Sequence, residues 1–239
     1  MPLSFTDIGK LDNTQYFKRS PMQDSAVQSS RMTELTAINL AKTLTLVLLI
    51  ACALIFRIQD WRQVLYLCLH GGYCVWWLLE QWLYPERRKA IFSEPISAIG
   101  VILCLLIVGV FYAMPGYFAF TNPEPLAYLT GAIALILYTF GSLINTSADV
   151  QKLTAKQYGA GLVTDGVWRF SRHINYFADL LRYLSFSVLA GSPWAYGLTV
   201  FIAALYLSLM SKTEKSRLEK YPEYPQYAQS SKKLIPGIW

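Results

Sequence analysis

Six apolar runs constrain this chain more than anything else in it. They lie near 36–56, 64–84, 96–114, 126–145, 176–190 and 194–210. A helix needs about 20 apolar residues to cross the hydrocarbon of a bilayer, and most of the runs supply them. The last two are short, and the turn Gly191-Ser192-Pro193 between them predicts a tight helical hairpin. Composition agrees, because only 15% of the residues are charged and 54% are hydrophobic, whereas a soluble domain averages roughly a quarter charged. The expected fold class is all-α, a multi-pass (polytopic) membrane protein with about six transmembrane helices. Residues 1–34 carry no apolar run and lack the hydrophobic core of a signal peptide, and they read as a disordered cytosolic arm.

The net charge of +6 invites a nucleic-acid partner, but the placement of the charges answers it. Six spans leave both termini on one side of the bilayer. That side collects Lys10, Lys18, Arg19 and Arg31, then Arg87, Arg88 and Lys89, then Lys152, Lys156, Arg169 and Arg172. The tail adds Lys212, Lys215, Arg217, Lys220, Lys232 and Lys233. Seventeen of the 21 Lys/Arg fall there, with Arg57 and Arg62 opposite and Lys42 and Arg182 within the spans. This is the positive-inside asymmetry. It predicts cytosolic termini and explains the basic balance by the lipid bilayer, with no nucleic acid. Cys52, Cys68, Cys74 and Cys104 all sit in apolar spans without CxxC or metal-ligand spacing, so no metal site is expected.

Polar groups inside a span are costly, so where they occur is informative. At the start of the fifth span Arg172, Asn175, Tyr176, Asp179, Arg182 and Tyr183 recur at helical spacing on one face, while Phe177, Leu180, Leu181 and Leu184 occupy the others. Such a stripe needs polar partners or a wet cavity. The glycine-punctuated segment from Gly159 to Arg169 precedes it, and a charged helical stretch from Lys212 to Lys220 follows the sixth span. Glu214, Arg217 and Tyr221 share a face of that stretch. The two cytosolic segments flank one hairpin and can close over a common pocket. Its Lys/Arg groups suit phosphates and its Tyr/Trp planes suit a flat ring, the chemistry of a large anionic nucleotide-type cofactor.

The block Arg172-His173-Ile174-Asn175-Tyr176-Phe177-Ala178-Asp179 resembles the hallmark Arg-His-Pro-Asn-Tyr, apolar, Gly, Glu/Asp. That hallmark marks the superfamily of steroid 5-alpha reductase C-terminal domains, sterol C14 and C7 reductases and DUF1295 proteins, which shares its core with isoprenylcysteine carboxyl methyltransferases. Upstream, Gln151-Lys152 and the Leu162 to Trp168 segment are similar to the reductase members. Downstream, the spacing of Glu214, Leu218, Tyr221, Tyr224, Tyr227 and Ile235-Pro236 is similar too. The resemblance covers about residues 145–239. It implies a cytosol-facing cofactor-binding region over 146–239 capping a substrate cavity formed by the transmembrane helices of 35–145. In reductases the cofactor is NADPH; in the methyltransferases it is S-adenosylmethionine. Gln151-Lys152 and the acid Asp179 are reductase-like. Lys152, Trp168, Asn175, Tyr176 and Tyr227 match positions that contact NADPH in sterol reductases, Arg172 and His173 match the hallmark, and Asp179, Arg217 and Tyr221 complete the expected cofactor contacts. The chain departs where the hallmark Pro is Ile174 and its Gly is Ala178, and where the acid before Glu214 is Thr213. The Ile loses a fixed φ and the Ala removes room for close backbone approach.

Hydride transfer to a C=C bond also needs a proton donor. On the second span His70, Tyr73, Trp77, Glu80 and Tyr84 form a polar-aromatic stripe. A buried Glu80 is the expected acid, with Tyr176 the second catalytic candidate. Tyr138 and Asn145 on the fourth span are positioned to line the same cavity. The leading expectation is an NADPH-dependent membrane reductase of a lipophilic steroid-, isoprenoid- or lipid-like substrate. The alternatives are an S-adenosylmethionine-dependent lipid or isoprenylcysteine-type methyltransferase and a non-catalytic membrane scaffold.

Overall fold

A computed structural model describes residues 32–85 and 92–239. Most of the expected arm, up to residue 31, lies outside the described residues, as does the loop with Arg87, Arg88 and Lys89. Six long helices follow the six apolar runs. They are α1 (Glu34–Phe56), α2 (61–83), α3 (Ala98–Thr121), α4 (Tyr128–Gln157), α5 (Ile174–Ala190) and α6 (Tyr196–Lys220), and a short α7 (Tyr224–Ser230) closes the chain. Among the described residues there are two isolated bridges, Thr33 to Pro95 and Ser171 to Lys232, and no strand. Four helices, α1, α3, α4 and the one running from Pro193 to Lys220, are long and apolar enough to cross a membrane. Large apolar side chains such as Val47, Leu54, Ile99, Leu129, Ile136 and Val200 cover their outer faces. That is the reverse of a water-soluble surface. The chain is an all-α polytopic membrane protein.

Local chemistry explains the ends. Thr33 caps α1, its hydroxyl accepting from the Thr36 amide at 3.3 Å, and Glu34 stands in the first turn, where the helix dipole favours an anion. Asp60 and Gln63 form a reciprocal capping box at the start of α2. Asp60 also accepts the Leu126 amide at 2.6 Å, which holds its carboxyl below the usual range. The hairpin between α5 and α6 turns at Gly191, whose φ of 68° a side chain rarely adopts. Ser187 donates across it to the Ala195 carbonyl at 2.9 Å.

At the same end of the bundle Arg62 is buried and acts as a clamp, because α2 begins at residue 61 instead of 64. Its guanidinium donates to the carbonyls of Leu189 at 2.7 Å and Glu124 at 3.0 Å, and Asn122 donates to Ala190 at 3.1 Å. The bonds to Leu189 and Ala190 satisfy carbonyls that the last turn of α5 leaves without helical partners, and the bond to Glu124 ties in the connection before α4.

Two π-helical turns, Leu67–Gly71 in α2 and Leu105–Phe111 in α3, interrupt otherwise regular helices. The second leads directly into the turn around Pro115, which has no N–H to offer the preceding turn. The Thr45 hydroxyl of α1 lies 2.9 and 3.1 Å from the Val108 and Gly109 carbonyls that this widening exposes. The main core gathers Leu49, Tyr66, Phe186, Leu189, Leu198 and Ile202 where α1, α2, α5 and α6 converge.

Helices α4 and α5 share the most intimate contact. A Cβ added at Gly141 would lie 2.7 Å from the Ala178 carbonyl oxygen and 2.9 Å from the Arg182 amide. The room expected of a glycine at 178 is therefore supplied from across the interface by Gly141. Because the obstacles are backbone atoms, Gly141→Ala must push the helices apart at about 1–3 kcal/mol, seen as a fall of several degrees in Tm in detergent. Gly72→Ala is the control: nothing lies within 4 Å of its Cβ, and the change should be neutral or stabilising by up to about 1 kcal/mol.

Candidate functional site

At 1.5 Å per residue, the 30 residues of α4 span about 45 Å, well beyond the hydrocarbon thickness of about 30 Å. Its last turns, bearing Asp149, Lys152 and Lys156, extend past the apolar zone, as does the charged end of α6. These extensions, the 158–173 connection, α7 and the tail form one polar pole of the bundle. Gln151 pins the connection from α4, donating to the Asp165 side chain at 3.0 Å and accepting the Val167 amide at 3.3 Å. Lys156 holds its start, donating to the Ala160 carbonyl and the Tyr221 hydroxyl, both at 3.1 Å, and to the Gly161 carbonyl.

Several of the expected cofactor contacts act at this pole as internal ties. Trp168 is buried in a 3-10 turn (Gly166–Arg169) against Ala148 and Ile174, and its indole N–H donates to the Ala148 carbonyl at 3.2 Å. Tyr227 donates to the Trp168 carbonyl at 2.6 Å, and burial pushes its phenol up to about 12. Lys152 lies 5.8 Å from the Trp168 ring. Arg172 donates to the Ala228 carbonyl at 2.9 Å, the Ser231 carbonyl at 2.7 Å and Glu214 at 3.0 Å. Arg217 donates to the Arg172 carbonyl at 3.0 Å. Ile174 follows the cap residue His173, and its burial between Ala148 and Trp168 anchors the start of α5 by packing where a proline would fix φ. Asn145 donates to the Asn175 carbonyl at 3.2 Å. Among the described residues no hydrogen bond engages the Asn175 side-chain amide.

From here an aromatic and ionic column descends into the bundle. His173 stacks on Tyr176 with centroids 5.4 Å apart, and Tyr176 stacks on Tyr206 at 4.3 Å, the planes within 6°. The Tyr206 hydroxyl donates to Asp179 at 2.6 Å, and Asp179 pairs with Arg182 one turn on. The Arg182 guanidinium lies 4.3 Å from the centroid of Tyr73, whose hydroxyl is 3.4 Å from that of Tyr183. Lys42 approaches the Tyr73 and Tyr112 rings at 4.4 and 5.0 Å. His70 stacks on Phe186 at 4.3 Å, and Tyr138 packs on Phe186 as well. Glu80 is buried on the Tyr73 face of α2, two turns nearer the polar pole.

The stripe of α5 is thus the spine of the site. Lys42, Tyr112 and Tyr206 join it from α1, α3 and α6 without having been singled out by the sequence. For Tyr206 a signal existed: it shares a face of α6 with Met210, Thr213 and Arg217 at i+4, i+7 and i+11. For Lys42 the signal was its charge within an apolar run.

This arrangement defines a multi-pass membrane protein with an intramembrane polar centre beneath a polar cap. The profile of the family described as "Protein of unknown function (DUF1295)" matches residues 28–233, and the chain belongs to that family. It is also similar to a Delta(14)-sterol reductase of Arabidopsis thaliana, at 23% identity over 182 residues, 69% of this chain and 49% of the relative. The chain spans about half the length of that curated relative.

Two measurements follow. Tyr227→Phe leaves the buried Trp168 carbonyl without its donor, at about 1–3 kcal/mol, and limited proteolysis should cut the 158–173 connection faster than in wild type. His173 is held down to about 4, chiefly by burial, against about 6.5 for an unfolded histidine. Between those values the unfolded chain takes up the proton and the folded chain does not, so stability falls as pH drops from about 6.5 towards 4. Tm measured over that range should decline, and His173→Gln should flatten the decline.

Proposed function

We propose that this chain is a membrane-embedded reductase that saturates a C=C bond in a lipophilic, sterol-like substrate, with NADPH as hydride source. The observation that carries this reading is the column from His173 and Tyr176 through Tyr206 to Asp179, Arg182, Tyr73 and Tyr183. It links a basic cap to a polar centre inside apolar helices. The likeness to a sterol reductase supports it. In this reading the basic cap faces the cytosol with both termini, residues 146–239 bind the cofactor and the helices of 35–145 enclose the substrate.

The chain's own groups fit a dinucleotide phosphate. Arg169, Lys212, Lys215 and Lys232 are exposed at the cap, and Asn175, with its amide unengaged, is half-buried in the first turn of α5. Lys152, Arg217 and Tyr221 complete the wall. Arg172, Trp168 and Tyr227 keep that wall in shape through their bonds to backbone carbonyls. Bound there, the nicotinamide supplies a hydride. Glu80 is the buried acid for the neighbouring carbon, and the Tyr73 and Tyr183 hydroxyls line the place of the substrate in the polar centre. Asp179 and Arg182 fix each other's charge, and the stacked Tyr176 and Tyr206 exclude water between cap and centre.

NADPH should raise the Tm of the purified protein in detergent. Asn175→Ala should weaken that response about tenfold, the worth of one good hydrogen bond. A shift with S-adenosylmethionine and none with NADPH at millimolar concentration would transfer the chain to the methyltransferase reading. A shift with neither would leave the scaffold.

A further inference from the structure

Lys42 stands where a charge is least tolerated. It lies eight residues into α1 from Glu34, about 12 Å along the helix axis, and is only 2% exposed. Its ammonium has no hydrogen-bond partner in the described structure. The rings of Tyr73, Tyr112 and Trp77, with centroids 4.4, 5.0 and 5.8 Å away, offer cation–π attraction but accept no hydrogen bond in the ordinary sense. An unpaired buried ammonium is strongly unfavourable, and within a membrane span such a group marks a ligand path or a counter-ion site.

The groups around it share one deficit. Arg182, over the same Tyr73 ring, leaves its Nε–H without a partner. Tyr73 and Tyr183 add two hydroxyl donors. Against these stands the Asp179 carboxylate, already accepting from Arg182 and from Tyr206. The cluster is therefore rich in donors, and the three charged groups in it that touch Tyr73 or one another, Lys42, Arg182 and Asp179, sum to one net positive charge. A carboxylate supplies one negative charge and about four lone-pair sites, so it meets both shortages at once. A hydroxyl or an ester carbonyl brings no charge and fewer acceptor sites. Because Lys42 is enclosed by α1, α2 and α3, the anion must be carried in by a molecule that enters the bundle.

We propose that Lys42 is the ionic anchor of a ligand site for the carboxylate of a lipophilic acid, held with the help of the Tyr73 and Tyr183 hydroxyls and the Arg182 Nε–H. The inference rests on the same polar centre as the reductase reading and deepens it by naming the class of molecule admitted. It does not require NADPH, so it is tested without nucleotide.

The test uses the full chain in detergent with two probe sets: a steroid carboxylic acid with its methyl ester and its alcohol, and oleate with methyl oleate and oleyl alcohol. The expected result is that at least one acid raises Tm while its ester and alcohol do not. Lys42→Met should weaken that acid by about tenfold or more, as loss of one partner of a buried charge pair does, and Lys42→Arg should restore part of it. Ligand-free Lys42→Met should melt no lower than wild type, since the change removes an unpaired charge. The proposal is overturned if ester and alcohol act as strongly as the acid, if no acid acts, or if Lys42→Met binds the acid like wild type. It is equally overturned if ligand-free Lys42→Met is markedly destabilised, which would make Lys42 a cation–π strut. NADPH is added separately to wild type and Lys42→Met. Acid selectivity without any NADPH response would sink the reductase reading and leave the anion site standing.

Discussion

An aspartate and an arginine on one short helix, inside a bundle coated with lipid-facing side chains, set the terms for the rest of this molecule. Neither charge could persist against hydrocarbon alone. Asp179 is satisfied by Arg182 and by the Tyr206 hydroxyl, and Arg182 lies over Tyr73. The partners come from α6 and α2, so α5 must be surrounded rather than merely packed on one side. Its near-total enclosure follows: Ala178, Arg182, Tyr183, Ser185, Phe186, Leu189 and Ala190 are all buried. The long apolar helices supply the wall, and the shortest of the six long helices carries the charged pair.

Both ends of that central helix are tied by polar groups from elsewhere in the chain. At the start, the amides of Arg172 and His173 donate to the carbonyls of Lys232 and Lys233, and the Arg172 side chain grips the end of α7. At the finish, Arg62 and Asn122 hold the final carbonyls. Along its length the backbone of Ala178 presses against Gly141. A helix restrained at three points presents its side chains in one orientation, as a site working beside a bound ligand requires.

Much of this was legible in the chain. The six runs, the hairpin at Gly191-Ser192-Pro193 and the polar face from Arg172 to Tyr183 are periodic features, and periodicity survives folding. The polar ends of α4 and α6 were harder to bound, since helix continues there without apolar residues. The positions of Trp168, Arg172 and Tyr227 in the fold were not legible, because their bonds go to backbone carbonyls whose location depends on the path of a connection. The departures at Ile174 and Ala178 looked like losses when read one residue at a time. Each is balanced on another element, by Ala148 and Trp168 in one case and by Gly141 in the other. The burial of Arg62 was hidden for the simplest reason: α2 starts one turn earlier than its apolar run.

The wide turn at Leu67–Gly71, which holds the buried His70, separates two sections of α2 with buried side chains, Tyr66 before it and Tyr73 and Glu80 after it. A π turn carries one residue more than an α turn over the same length. Deleting a single residue there would close the wide turn and leave Tyr73 and Glu80 in phase, whereas deleting one between Gly72 and Leu83 would rotate everything beyond it by about 100°. The helix therefore has a phase as well as a length. A loss of one residue is therefore absorbed at the wide turn, whereas in the regular turns that follow it changes of chain length are tolerable only in compensated pairs.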